Sequence, residues 1–546
     1  MPQITDATCR PVQGTVLAVF APFGSDEGLS TYPNGHSLQL LDHPLVASLR
    51  RVAKAGVAVE ALVDRVGDDT QWLSIPAGQP ERLSLHNRWK QDMHAPRTLS
   101  GFLVEVHQRH PAAALVLGLE GHGSGYLPEL DTRRLSWEAA NKGRDWIWHI
   151  SATEAAPMVA SHLTEGGLPA LTEAFPTCPG GNPAIPVNQQ PLSTYGLGWA
   201  LRDARLRGCP KLSVIHFDNC FNLSTEVLHT VAPYADAADG FANYTFFTAG
   251  EAYALAFEQL GAQGQYSSLA LAKQLSLATH ELLKKPGDGY PAVGGALALN
   301  RMEGIADGIE ALSDALILLM QRDGNAARDL IQAAIVKAQN YDTDFPQELE
   351  TPDQLTDIYS LANALLDFAA KDLGVVTAAK ALCGLLNEVR VFGDVGHPAM
   401  APQFEWNFAE TTLAMNIFLP DPLRRGQWDW RTPYYGDVRP EPFKITLANG
   451  STQVLPPAQT GVIDFLTKTT WVDFLKVYHA DTHFVSFHVG AVPDLPHYDP
   501  HYVPPKDGQG GNGTQGGGGR GCPSQRGPRL LGPLGDWLAQ LRDKLK

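Results

Sequence analysis

Cysteine is scarce in this chain, with six in 546 residues. Cys9, Cys178, Cys209, Cys220, Cys383 and Cys522 stand far apart, form no CxxC pair and show no His spacing suited to zinc. So few thiols exclude a disulfide scaffold and fit a reducing compartment. Long apolar runs are missing as well. No stretch of about 18 apolar residues occurs, so no membrane span is expected. Met1 to Phe20 has no basic segment followed by a long apolar one. No secretory signal is therefore expected, and the cytoplasm is the expected location. Positive charge is the third shortage: 42 Lys and Arg against 58 Asp and Glu leave a net charge of -16. Such a chain cannot cover a phosphate backbone over a broad face, which excludes nucleic acid as a partner. No internal repeat is evident.

What is present is an ordinary globular composition, 44% hydrophobic and 18% charged. The length exceeds one compact domain, so a core with additions is expected. Over residues 1–260 short apolar strands alternate with amphipathic helices. Strands are expected at Thr15 to Phe20, Val57 to Val63, Gln71 to Ile75, Ala114 to Leu119, Leu212 to Phe217 and Tyr244 to Thr248. Helices are expected at Pro44 to Ala55, Arg97 to His110, Thr194 to Arg205 and Ser224 to Val231. In the second of these, Leu99, Phe102, Leu103 and Val106 form one buried stripe. This rhythm predicts an α/β fold with a mostly parallel sheet flanked by helices, which binds ligands at the carboxyl ends of its strands.

The pattern then changes. Residues 261–400 read as helical, with periodic stretches at Ile305 to Gln321, Asn325 to Asn340 and Gln354 to Ala370. Residues 401–506 are a mixed α+β region rich in Pro, Trp, Tyr and Phe, with a strand-like run at Thr412 to Leu419. Residues 507–528 are a Gly-rich flexible linker that buries too little apolar surface to fold. Residues 529–546 form a short amphipathic helix, capped by Asp536, with Trp537, Leu538, Leu541 and Leu545 on one side. It is a dock for a protein partner or a membrane surface, or, the favoured reading, an ordinary terminal helix.

Two segments place a reactive side chain just past a buried strand. The first runs from Leu115 to Gly125, with His122 between Gly121 and Gly123. Flanking glycines let the backbone turn sharply and leave amides unshielded, which suits an oxyanion site. A turn with a capping histidine is the plain alternative. The second runs from Val214 to Asn222 and contains Cys220. A thiol near a helix start feels the positive end of the helix dipole, which raises its thiolate fraction. The plain alternative is a small buried hydrophobe. If the two strands are parallel neighbours, imidazole and thiol meet at one sheet edge. A lipase-like oxyanion loop is a poorer reading of Gly121 to Gly125, because no G-x-S-x-G elbow accompanies it.

At these residues the sequence resembles the clostripain family of cysteine peptidases, in the clan that also holds caspases, gingipains and separase. The resemblance rests on Gly121-His122-Gly123-Ser124-Gly125, Asp218-Asn219-Cys220, Ser224-Thr225-Glu226-Val227 and Tyr234-Ala235-Asp236. Met93 to Leu99, Leu192 to Leu197 and Leu413 to Pro420 add to it. It covers roughly residues 13 to 320 and implies a caspase-like core. It also implies that Cys220 attacks the scissile carbonyl, that His122 supports protonation of the leaving amine, and that the amides of Gly123 and Cys220 bind the oxyanion. Asp218 takes the family's S1 position, which selects Arg or Lys. Physics agrees, since a partly desolvated carboxylate favours a cation; a cap of the next helix is the alternative. Glu251 is a second S1 candidate. The resemblance leaves calcium open as a cofactor; the residues themselves offer no metal constellation.

Three departures stand out. Asn219 replaces a small residue, Glu120 replaces a neutral one, and the insertion between the two motifs is long. A carboxylate at 120 beside His122 is expected to raise the imidazole pKa. Family members often cut themselves between His and Cys after a basic residue. Here the candidates are Arg133, Arg134, Lys142 and Arg144. The sequence thus points to a cytoplasmic bacterial cysteine endopeptidase acting on peptides or proteins with a basic P1 residue. A catalytically silent binding domain and a regulated effector of defence or cell death are the alternatives.

Overall fold

The computed structural model describes residues 9–23, 39–65, 70–88, 91, 93, 95–123, 125–127, 192–243, 245, 247–283, 293–341, 355–395, 415–420, 443–446, 452–455 and 463–479. The proposed self-cleavage sites, the Gly-rich linker and the terminal helix lie outside them.

Nine strands build one sheet among these residues. They are β1 (Thr15–Pro22), β2 (Ala58–Asp64), β3 (Gln71–Ile75), β4 (Ser84–Asn87), β5 (Ala114–Glu120), β6 (Leu212–Asp218), β7 (Ala235–Phe241), β8 (Val293–Ala298) and β9 (Arg390–Val395). Their order is β9-β8-β7-β6-β5-β1-β2-β3-β4. The five central strands, β7 to β2, run parallel to one another. Both flanks are antiparallel. Every residue of β1, β2 and β6 is buried, as parallel strands covered on both faces require. The α/β fold with a mostly parallel sheet flanked by helices is therefore present.

Strand alternation divides the core in two. Leu115, Leu117, Ile215 and Phe217 face one cluster, while Val116 and Val214 face the other. The first cluster is covered by α2 (Pro96–Arg109), α3 (Thr194–Leu206) and α4 (Thr225–Val231). The expected stripe of Leu99, Phe102, Leu103 and Val106 lies in it. The second is covered by α1 (Pro44–Lys54), α5 (Glu251–Gly261) and α6 (Ser268–Leu283). Local chemistry sets the helix starts. Pro44 opens α1, and His43 Nδ1 accepts from the Leu45 amide at 3.2 Å. Ser193 Oγ accepts from the Gly196 amide at 2.8 Å to start α3.

Two expectations need correction. Within the expected strand Tyr244 to Thr248, the described residues Thr245, Phe247 and Thr248 belong to no strand; the strand is β7, Ala235–Phe241. Its sequence of Ala, Asp and Gly has little strand propensity. Burial between β6 and β8 and the pairing of Asp239 override that weakness. The sheet also runs past residue 260, since β8 and β9 extend its edge.

The later helices α7 (Met302–Asp323), α8 (Asn325–Lys337), α9 (Ile358–Phe368), α10 (Leu373–Val389), α11 (Asp464–Lys468) and α12 (Trp471–His479) enlarge the first core cluster through residues such as Ile309, Leu316, Leu382 and Trp471. The strand Asn416–Phe418 pairs antiparallel with Leu355–Asp357 and touches the chain just before α4 through a bridge from Asn416 to Ser224.

Candidate active site

β5 and β6 are adjacent and parallel, with Glu120 paired to Asp218 across the ladder. His122 and Cys220 each follow their strand by one intervening residue, so the same edge carries both. The turn at Gly121 has φ 98°, a conformation that L side chains resist. Gly123 brings the two loops into backbone contact. A Cβ at 123 would overlap the Cys220 carbonyl oxygen and lie 2.8 Å from its amide nitrogen. The structure thus brings together His122, Gly123 and Cys220.

Cys220 is 8% exposed. Cys220 Sγ accepts from the Thr245 amide at 3.4 Å and faces the Thr245 carbonyl at 3.6 Å. The expected help from a helix dipole is displaced. α4 begins only at Thr225, and its first turn is occupied by the Glu226 carboxylate, which accepts from Ser224 Oγ at 2.6 Å and from the Phe418 amide at 2.9 Å. Phe221, directly after Cys220, has φ 63°. A bulky residue held there stores strain of order 1–3 kcal/mol. Asn219 fastens the loop: its Nδ2 donates to the Leu119 carbonyl at 3.2 Å, and its Oδ1 accepts from Asn222 at 2.7 Å.

Beneath the edge lies a buried group of charges. Asp218 and Glu120 continue the face of Val214 and Val116, together with His216 of β6 and Asp239 of β7. Asp218 is 3% exposed. One of its oxygens accepts from Thr248 Oγ1 at 3.1 Å, and the other has no hydrogen-bond partner. It is not a helix cap. Burial pushes its carboxyl up, and the His216 charge and the Thr248 bond oppose this. Glu120 is 2% exposed. Burial raises it well above the ordinary carboxylate range, with Asp218 adding to the rise and Tyr253 and His216 opposing it. Strand alternation turns residue 120 toward Tyr253. Gly118 makes the room: a Cβ there would overlap the Tyr253 hydroxyl.

His216 and Asp239 are fully buried and joined at 2.6 Å from Nδ1 to Oδ2. Burial works against the imidazolium, but the Asp239 carboxylate outweighs it and lifts His216 to about 9. Burial in turn pushes Asp239 up to about 6, against the pull of His216. Glu251 stands apart. Arg51 and Ser48 of α1 hold its carboxylate, tying α5 to α1. Among the described residues no three His, Cys, Asp or Glu converge as a metal site.

Sequence reasoning missed Thr245, His216, Asp239 and Asn416. Only His216 carried a signal, as a polar residue inside an otherwise apolar strand.

No protein-family model and no curated protein matches the sequence. Solved structures do match in chain path. A secreted C11 cysteine protease from Bacteroides thetaiotaomicron, in complex with an irreversible peptide inhibitor, is 11% identical with a TM-score of 0.42, covering 82% of this chain and 91% of that one. An inactive zymogen C11 protease from Parabacteroides distasonis is 13% identical with a TM-score of 0.43, covering 76% and 93%. The secreted C11 cysteine protease iotapain of B. thetaiotaomicron is 12% identical with a TM-score of 0.45, covering 77% and 99%.

Proposed function

We propose that this protein is a cysteine endopeptidase that cleaves peptide bonds after Arg or Lys. The observation that carries this reading is the register of β5 and β6, which sets His122 and Cys220 at equivalent places past adjacent strand ends with Gly123 against the Cys220 backbone. In the proposed reaction the Cys220 thiolate attacks the scissile carbonyl carbon, and the C=O electron pair moves onto oxygen. The Gly123 and Cys220 amides stabilise that oxyanion. Its collapse breaks the C–N bond, and His122 gives the leaving amine its proton. Water then hydrolyses the thioester and frees Cys220.

Asp218 supplies the preference for a basic P1 side chain. A cation entering beside it gains a charge-assisted bond and relieves a buried carboxylate that lacks a partner on one oxygen. A neutral side chain leaves that cost unrelieved. Glu251 has a weaker claim, since its carboxylate is held by Arg51.

The engagement of the thiol by Thr245 favours a latent form in this state. Self-cleavage at Arg133, Arg134, Lys142 or Arg144 is the proposed trigger. The proposed compartment is the cytoplasm, consistent with the free thiols of Cys9, Cys209, Cys220 and Cys383. A P1 scan with fluorogenic peptides tests the reading. Wild type should prefer Arg and Lys, and Asp218→Asn should lose that preference. An Asp218→Asn enzyme with unaltered basic preference would remove Asp218 from the S1 site.

A further inference from the structure

We propose that Asn416 is a positioning residue for the Cys220 nucleophile, clamping from the C-terminal half of the chain the strained turn that aims the thiol. The inference rests on the peptidase reading of Cys220 but has its own test.

The turn after Cys220 is unusual in carrying Phe221 at φ 63° with its side chain fully buried. Something must hold a residue there against relaxation into an ordinary conformation. The Asn416 amide does so directly. Its Nδ2 donates to the Phe221 carbonyl at 2.9 Å and to the Ala242 carbonyl at 2.8 Å. One side chain thus joins the residue after the nucleophile to the end of β7. The Asn416 backbone bonds further along the chain, beyond the Phe221 turn, with its amide donating to the Leu223 carbonyl at 2.8 Å and its carbonyl accepting from Thr225 Oγ1 at 2.9 Å. The other side of the turn is fastened too, since the Phe221 amide donates to the Asn243 carbonyl at 2.9 Å.

The His loop reaches the same place. A Cβ on Gly125 would stand 3.4 Å from the Phe221 carbonyl and 3.6 Å from Asn416 Oδ1. Asn416 therefore sits where the two reactive loops and the end of β7 meet. It is fully buried and far from both in sequence.

Two donors are needed here, aimed at two carbonyls. Asn provides both from one planar group. Leucine would leave both carbonyls unsatisfied, and aspartate would set a carboxylate against them. The strand Asn416–Phe418 is itself held by Leu355–Asp357 and by Trp471 Nε1, which donates to the Phe418 carbonyl at 3.3 Å. The aim of the thiol is thus coupled to how the C-terminal half docks.

The test compares Asn416→Ala with Thr225→Val. Thr225→Val removes one bond to the same strand but none to the Phe221 turn. Two readouts are taken: kcat and KM on an Arg-amide peptide, and the rate of Cys220 carbamidomethylation by iodoacetamide, mapped by mass spectrometry. Asn416→Ala should lower kcat on the order of 10–100-fold with KM nearly unchanged, as expected when a reacting group is misaimed. It should also change the alkylation rate several-fold, while Thr225→Val leaves both rates near wild type. Equal rates in the two variants would overturn the proposal. If Asn416→Ala does not fold, Asn416→Ser, which is neutral and supplies at most one donor, is read the same way. If the wild type cleaves no basic peptide, the peptidase reading fails, and the alkylation comparison still decides the clamp.

Discussion

His216 shows most clearly how single residues set the chemistry of this edge. It is a fully buried imidazole bonded to Asp239, with the Asp218 and Glu120 carboxyls and the Tyr253 ring on the same face. Its pKa in the folded chain, about 9, lies above the ordinary 6.5. The stabilisation it brings is complete below pH 6.5 and is lost as pH rises through about 9. The acids act in the same sense: Asp239, raised to about 6, favours the folded state at low pH and loses that effect as pH rises past its folded value. Wild-type stability in chemical denaturation should therefore fall between pH 6.5 and 9. In His216→Gln the same fall should be much shallower. That variant should also be about 3–5 kcal/mol less stable at pH 7, because it leaves the Asp239 carboxylate buried and unpaired. A denaturation midpoint equal to wild type would show that His216 is not charged there.

At the scale of elements, the site depends on two strand ends lying side by side. Gly123 makes their contact possible, and Gly123→Ala should drive the loops apart, because its new methyl group meets Cys220 backbone rather than a flexible side chain. Peptidase activity should drop more than 100-fold, a loss typical of misplaced groups, while thermal stability changes little by comparison. Retained activity would mean the loops do not work in contact. Much of this level was legible in sequence. β1 and β5 announce themselves as apolar runs, β6 as one interrupted by Ser213 and His216, and the glycines around His122 mark a turn. β7 was not legible. Ala235 to Phe241 offers small and acidic residues whose suitability comes only from burial and from the His216 bond. The aromatic run after it looks more like a strand, yet Thr245 there turns its backbone to the thiol. Asn416 was out of reach for another reason. Its partners are Phe221 and Ala242, and a single asparagine gives no periodic signal of so distant a contact.

For the whole molecule, the long insertion is closed at its base. Leu127 and Thr194 are joined by two hydrogen bonds, from the Thr194 amide to the Leu127 carbonyl at 3.0 Å and from the Leu127 amide to Thr194 Oγ1 at 3.0 Å. A cut between 133 and 144 should leave these anchors in place. The nicked protein should then run as one species in size exclusion and as two chains on a denaturing gel. Separation of the fragments under native conditions would contradict this. The nick itself should be absent from Cys220→Ala.

The most direct measurement is to trap the reaction on the enzyme. An Arg ester is mixed with wild type, quenched in acid within the first turnover, and the digest is mapped by mass spectrometry. The account predicts an acyl group on Cys220 in wild type, and neither acylation nor turnover in Cys220→Ala. Undiminished turnover in Cys220→Ala would contradict it.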